Sequence, residues 1–145
     1  MRFVCDAAGG KAWFRIGTEA EAMRESELMR HAVEKHFRRA QEQASLAYRP
    51  APGPFVEQDI GRAAHIRRAM PVFLTLRDGE GNALATAMLP PPRQGTGRDD
   101  VAICPMVVGS GNGDPYPEHR AAIEDLGRHF GLVLDRGRCY PYGRF

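Results

Sequence analysis

The chain has 145 residues, of which 43% are hydrophobic and 26% are charged, and its formal net charge is +2. This length and composition are typical of one globular domain, over 1–145, that buries a core without disulfides or a structural metal. The small net charge argues against a surface built for nucleic acid or for anionic lipid.

The cysteines and the N-terminal segment indicate the compartment. Cys5, Cys104 and Cys139 are odd in number, far apart and outside any zinc-ligand spacing, so the sequence predicts neither a disulfide framework nor a metal site. The N-terminal residues turn polar too soon for a signal peptide, and no apolar run approaches the roughly 18 residues of a membrane span. We therefore expect a cytoplasmic protein without a membrane segment.

The first part of the chain predicts a hairpin and then helices. Short apolar runs at 2–5 and 12–16, separated by a turn with two glycines, predict paired strands. Thr18 begins a capping-box pattern, and apolar residues recur behind it at helical spacing, which predicts one long amphipathic helix over 19–47. A proline-rich connector ends this pattern, and a second helix is predicted over 55–69.

The second part predicts a strand meander and a C-terminal helix. Strands are expected at 72–76, 83–89 and 101–108, and the long connector 90–100 is predicted to be a mobile surface loop. A helix is expected over about 117–130, with Gly131 as its C-cap and a further strand possible at 132–135.

These elements predict an α+β fold with a predominantly antiparallel sheet of about four to six strands. We expect the long N-terminal helix and the C-terminal helix to pack on one face of it. Phe73 and Leu74 are adjacent in one strand and point to opposite faces, so something must also cover the other face: the second helix, the tail or another subunit.

The first candidate site is a glycine-rich loop before the C-terminal helix, where backbone N–H groups and the helix dipole favour an anion. His119 would add a polar contact, and Arg93 or Arg98 would close over the ligand from the connector. The alternative is a tight connector in which Asp114 caps the helix. The loop consists of Gly109, Ser110, Gly111, Asn112 and Gly113.

Thiol chemistry is a second candidate, with Cys104 as nucleophile, His119 as base and Asp99 or Asp100 as the orienting group. The apolar run around Cys104 favours a buried structural cysteine instead. Histidines form no metal-ligand motif, and His36 is expected on the apolar stripe of the long helix.

The C-terminal tail from 136 to 145 interleaves arginines with aromatic residues. Such a segment can stack on bases, anchor a protein partner or fold over its own sheet. The charge balance favours protein contact over nucleic acid.

The segment 72–85 resembles the strand, Asp-Gly turn and strand pattern of many sensory domains of the PAS and GAF type. The resemblance implies a β-hairpin and carries over no ligand and no residue role.

No nucleophile, acid-base pair, cofactor motif or metal set stands out. The leading hypothesis is therefore a non-catalytic protein that works by binding, either as a homo-oligomer or as an accessory subunit. The alternative is a small-ligand or phosphate-binding protein, or an enzyme, that uses the loop 109–113 and the following helix N-terminus.

Overall fold

The computed structural model describes residues 1–50, 52–91 and 104–143. Within these ranges five strands form one antiparallel sheet, in which spatial order follows chain order. The α+β prediction is confirmed. The strands are β1 Arg2–Ala7, β2 Lys11–Ile16, β3 Val72–Arg77, β4 Ala83–Leu89 and β5 Met106–Val108. The helices are α1 Glu19–Met29, α2 Val33–Ala47, α3 Phe55–Ala69 and α4 Tyr116–Phe130.

Local signals determine the hairpin and the helix ends. Gly9 and Gly10 have φ of 80° and 72°, so the turn between β1 and β2 uses the left-handed angles that glycine adopts freely. Thr18 Oγ1 accepts the N–H of Glu21 at 3.1 Å and caps α1 as predicted. Gly131, with φ of 68°, ends α4.

The sheet is covered on both faces. On one face, buried Trp13 donates its indole N–H to the carbonyl oxygen of Ala122 in α4 at 2.8 Å. On the other face, Phe73 packs against Phe37 of α2 with ring centroids 5.1 Å apart. The expectation that the N-terminal and C-terminal helices share one face is wrong, because the apolar residues on both sides of β3 each need a helical cover.

The predicted single helix over 19–47 is two helices. Arg30 takes left-handed angles, with φ of 54° and ψ of 52°, and ends α1. Ser26 Oγ then accepts the N–H of Glu34 at 3.1 Å, which caps the start of α2. An unbroken helix would be about 43 Å long, about twice the length of the strands beneath it, so the reversal lets both halves contact the core.

The chain after α4 does not form the strand considered for 132–135. These residues have no regular structure, and Leu134 is buried beside the α4 face of the sheet. Farther on, Tyr140 bridges to Met106 and donates its N–H to the carbonyl oxygen of Pro105 at 2.8 Å. The tail therefore closes the β5 edge of the sheet.

Two predictions extend beyond the described residues. Most of the connector 90–100 and the first part of the predicted strand 101–108 lie outside them. Among the helices that the structure describes, none combines the length and the apolar character needed to cross a bilayer.

Replacing Arg30 by glycine tests the helix break. Arg30→Gly should stabilise the protein by about 0.5–1 kcal/mol, since a non-glycine residue pays roughly 1–2 kcal/mol for left-handed angles. Arg24→Gly, within α1, should instead destabilise it by about 1 kcal/mol. Urea denaturation of both variants measures the difference, and two equal losses would indicate an unbroken helix.

Candidate functional site

The glycine-rich loop 109–113 follows β5 and lies against α1. Gly109 donates its N–H to the carbonyl oxygen of Gly113 at 2.7 Å, and Gly113 donates to that of Ser110 at 3.0 Å. Gly111 and Asn112 both take left-handed angles, and Gly109 is buried while the other four residues are exposed. The loop is therefore a tight turn that uses two of its own N–H groups.

An acidic side chain stands at the start of the helix that follows this loop. Asp114 Oδ1 accepts the N–H of Tyr116 at 3.0 Å, and Oδ2 accepts from Arg136 Nε at 2.8 Å. These contacts give Asp114 the capping role expected of a connector, and they place a carboxylate where an anion would approach. Ligand binding by 109–113 stays a prediction.

His119 contacts the β1–β2 hairpin. Its Nδ1 lies 3.2 Å from Lys11 Nζ, and its Nε2 lies 3.8 Å from the Glu118 carboxylate. Burial and the neighbouring ammonium of Lys11 lower the pKa of His119. The ring is thus neutral and accepts from Lys11, and neither polar contact belongs to the loop 109–113. Arg93 and Arg98 lie outside the described residues.

Cys104 does not meet His119. The Cys104 thiol contacts the carbonyl oxygens of Pro105 and Arg138, beside β5, whereas His119 contacts the start of β2. Three strand spacings, about 14 Å, separate β2 from β5. Asp99 and Asp100 lie outside the described residues. The structure therefore does not assemble the proposed thiol site from these two residues.

His36 is exposed on α2, so its predicted place on the apolar stripe is wrong. Helix α2 buries Val33, Phe37 and Ala44 of the predicted stripe, and His36, about 100° from Phe37 around the helix, lies outside this buried face. In the described ranges, no three His, Cys, Asp or Glu side chains are arranged to hold a metal ion.

A buried polar cluster that the sequence did not reveal lies between α1 and the sheet. Glu25 is fully buried, with an exposed fraction of 0%. Its Oε2 accepts from the Thr86 hydroxyl at 2.6 Å, and its Oε1 accepts from Arg77 Nη2 at 2.8 Å. We call this group the Glu25 cluster; its members are Glu25, His31, Thr75, Arg77 and Thr86.

His31 completes the cluster from the turn between α1 and α2. Its Nε2 lies 2.8 Å from Thr86 Oγ1, whose proton is already donated to Glu25, so Nε2 is the donor. The N–H of Val33 points at Nδ1 at 3.4 Å, which requires an unprotonated Nδ1. Burial lowers the pKa of His31, against the opposing effect of the Glu25 carboxylate. The imidazole is therefore neutral.

The cluster joins a carboxylate, a hydroxyl and an imidazole in one chain of hydrogen bonds, as acid-base sites do. However, Glu25, Thr75 and Thr86 are buried, and their polar atoms bond to one another or to Arg77. Its role in the described structure is to orient α1 on β3 and β4. The sequence signal that could have indicated this cluster is the presence of two polar residues inside apolar strands, Thr75 and Thr86, which are cross-strand partners.

An apolar surface stands out on α3, which buries none of its residues. Phe55, Val56 and Ile60 have exposed fractions of 84%, 68% and 63%. Helical spacing places Val56, Ile60 and Ala63 in one line, on the side opposite Gly61 and His65. We call this line, together with Phe55, the α3 stripe.

The other side of α3 is held by α2. Arg62 Nη1 donates to the carbonyl oxygen of Ser45 at 2.7 Å, and its guanidinium lies over the Tyr48 ring, 5.1 Å from the centroid. The Tyr48 ring also packs against His65. Gly61 permits this contact, because a Cβ there would collide with the Tyr48 hydroxyl. The stripe is thus presented on a fixed helix.

The C-terminal tail folds over its own domain. Cys139 is buried, and the Tyr142 ring packs edge-on against Tyr116 with centroids 5.7 Å apart. The Tyr142 hydroxyl donates to the carbonyl oxygen of Gly113 at 3.1 Å. These contacts occupy the ring and the hydroxyl of Tyr142, one of the aromatic residues of the tail.

No protein-family model matches the chain, and no curated protein or solved structure matches it either.

Removing one member of the buried ion pair should be costly. Arg77→Met leaves the Glu25 carboxylate buried without its cation and should destabilise the protein by about 3 kcal/mol or more. Adding Glu25→Gln removes both charges and should recover much of that loss. Urea denaturation of the wild type, both single variants and the double variant measures the coupling.

Arg38→Met is the matched control for that cycle, since Arg38 pairs with Glu19 on the exposed side of α1 and α2. It should change stability little, because exposed ion pairs contribute little. Additive effects of the Glu25 and Arg77 variants would contradict the buried pair.

His31 makes stability depend on pH. The unfolded state takes up a proton near the ordinary pKa of 6.5, whereas the folded state resists it because the His31 pKa is lowered. Stability should therefore fall as the pH decreases below about 6.5. His31→Gln should weaken this decline, whereas His36→Gln, at an exposed position, should not. A His31 ring that titrates by NMR at or above the ordinary value would contradict the assignment.

Proposed function

We propose that this chain is a cytoplasmic protein that acts by binding, as a homodimer whose interface is centred on the α3 stripe. The observation that carries the proposal is the exposure of Phe55, Val56 and Ile60 on a helix that buries none of its residues. Contiguous apolar surface of this kind marks interaction sites in proteins that are otherwise well packed.

The charges along α3 favour a second copy of the chain as the partner. Glu57 and Asp59 lie in the first half of the helix, and Arg67 and Arg68 lie in its last turn. When two such helices pair antiparallel about a twofold axis, the acidic half of each faces the basic half of the other. The antiparallel arrangement of the two helix dipoles is also electrostatically favourable.

The spacing of the stripe is compatible with the same twofold pairing. A centre between Ile60 and Ala63 brings Ile60 of one copy to Ala63 of the other, and Val56 to the aliphatic stem of Arg67. One helix face is smaller than the roughly 800 Å² per partner of a standard interface. Leu46 of α2, with an exposed fraction of 77%, provides additional apolar surface for a wider contact.

The sequence predicts the C-terminal tail either as an anchor for a protein partner or as a segment folded over its own sheet, and the α3 stripe replaces it as the contact surface in this proposal. The tail contacts Tyr116, Gly113 and Pro105 within its own chain. Ligand binding at 109–113, the alternative function, stays a prediction, and the self-contacts of that loop give it no added support.

Val56→Lys tests the interface, because it places a positive charge in a contact that must exclude water and opposite Arg67 of the second copy. Sedimentation velocity should show a dimer for the wild type and a monomer for Val56→Lys at the same concentration. Val133→Lys is the matched control, the same substitution at a residue 60% exposed and away from α3. It should remain dimeric.

Charge reversal distinguishes self-association from other partners. Glu57→Arg and Arg68→Glu should each weaken the dimer, and the double variant should restore it, because both copies then exchange their charges. A wild type that stays monomeric at high concentration would overturn the proposal. So would a dimer that is unaffected by Val56→Lys.

A further inference from the structure

A second unexplained surface is a depression of about 460 Å³ beside the β1–β2 hairpin. It lies where these strands approach the start of α1 and the end of α3. Its lining includes three arginines and one carboxylate, so the net charge of the lining side chains is positive. The lining residues are Met1, Arg2, Arg15, Gly17, Glu21 and Arg67.

Two of these arginines are cross-strand neighbours on the same face of the sheet. Arg2 and Arg15 are register partners in β1 and β2, so their side chains leave the sheet on the same side. Like charges at directly opposed positions destabilise a strand pair. Arg15 is also half-buried, and burial together with the charge of Arg2 lowers its pKa. The fold thus retains an energetically unfavourable pair of like charges at this position.

Within the described ranges, no acidic side chain offsets this pair. The ion pairs of those residues include none with Arg2, Arg15 or Arg67. Glu21, the carboxylate in the lining, is already bound: Oε1 accepts the N–H of Gly17 at 2.9 Å, and Oε2 lies 2.9 Å from the Met1 nitrogen. An anion bound in the depression would offset the positive charge of this pair.

We propose that this depression binds a small phosphate-bearing molecule, with Arg2, Arg15 and Arg67 as ligands of the phosphate oxygens. Guanidinium groups bind phosphate through paired N–H donors, and several of them around one cavity is the arrangement that such groups require. The volume lies in the range of roughly 300–1,000 Å³ found for small-molecule sites, so the ligand extends beyond a single phosphate.

Titration calorimetry with inorganic pyrophosphate, at constant ionic strength maintained with chloride, tests the site. The wild type should bind, and Arg2→Gln and Arg15→Gln should each weaken binding about tenfold or more. Arg24→Gln, which removes an exposed arginine from α1 outside the depression, should bind like the wild type. Orthophosphate should bind more weakly than pyrophosphate.

Thermal unfolding without ligand separates a binding role from a structural one. Since Arg2 and Arg15 repel each other, Arg2→Gln should unfold at the same temperature as the wild type or higher, while losing the rise that pyrophosphate produces in the wild type. Arg2 is exposed, so this variant keeps the test decisive should Arg15→Gln fold poorly.

Three results would overturn the proposal: no pyrophosphate binding above that of chloride, unchanged affinity in Arg2→Gln and Arg15→Gln, or an equal loss in Arg24→Gln. The last would indicate a response to net charge alone. Because Arg2 and Arg15 lie on β1 and β2, their variants leave the residues of the α3 stripe unchanged, so failure of this proposal can be told from failure of dimerisation.

Discussion

The buried charge of Glu25 constrains the α1 face of the sheet. Taking a carboxylate out of water costs several kcal/mol, so the fold must bring a cation and a hydroxyl to it, and Arg77 and Thr86 meet this requirement. Since both partners lie on strands, Glu25 determines the rotation and position of α1 over β3 and β4. His31 reaches the same threonine only because the chain reverses at Arg30, so the helix break and the cluster are one feature.

That reversal determines which surfaces remain open. Because α2 folds back against α1, α3 makes its main helix contact with α2 and reaches the core cluster of that face through Ile66. On the opposite face, α4 and the tail pack over the strands, and Tyr140 closes the β5 edge. The α3 stripe and the arginine depression are thus surfaces that the packing of the core leaves open, and the proposed binding functions rest on them.

Local patterns predicted the strands, the hairpin turn, α3 and α4, because apolar period, glycine and proline act within a few residues. The sequence did not predict the helix break at Arg30, because a non-glycine residue takes the left-handed angles there and no glycine or proline marks the position. The sequence did not predict the Glu25 cluster, because Arg77 and Thr86 lie 52 and 61 positions after Glu25 in the chain. The Arg2–Arg15 pair was within reach, since the predicted hairpin places these residues opposite each other.

Arg67 connects the two proposed surfaces. It lines the depression and also continues the line of the α3 stripe, where its aliphatic stem would cover Val56 of a second copy. A phosphate that binds the guanidinium would restrict this side chain, and a dimer contact would restrict its stem. Whichever event comes first orders the Arg67 side chain, so the second event costs less conformational entropy. Ligand binding should therefore strengthen dimerisation, and dimerisation should strengthen ligand binding by the same factor.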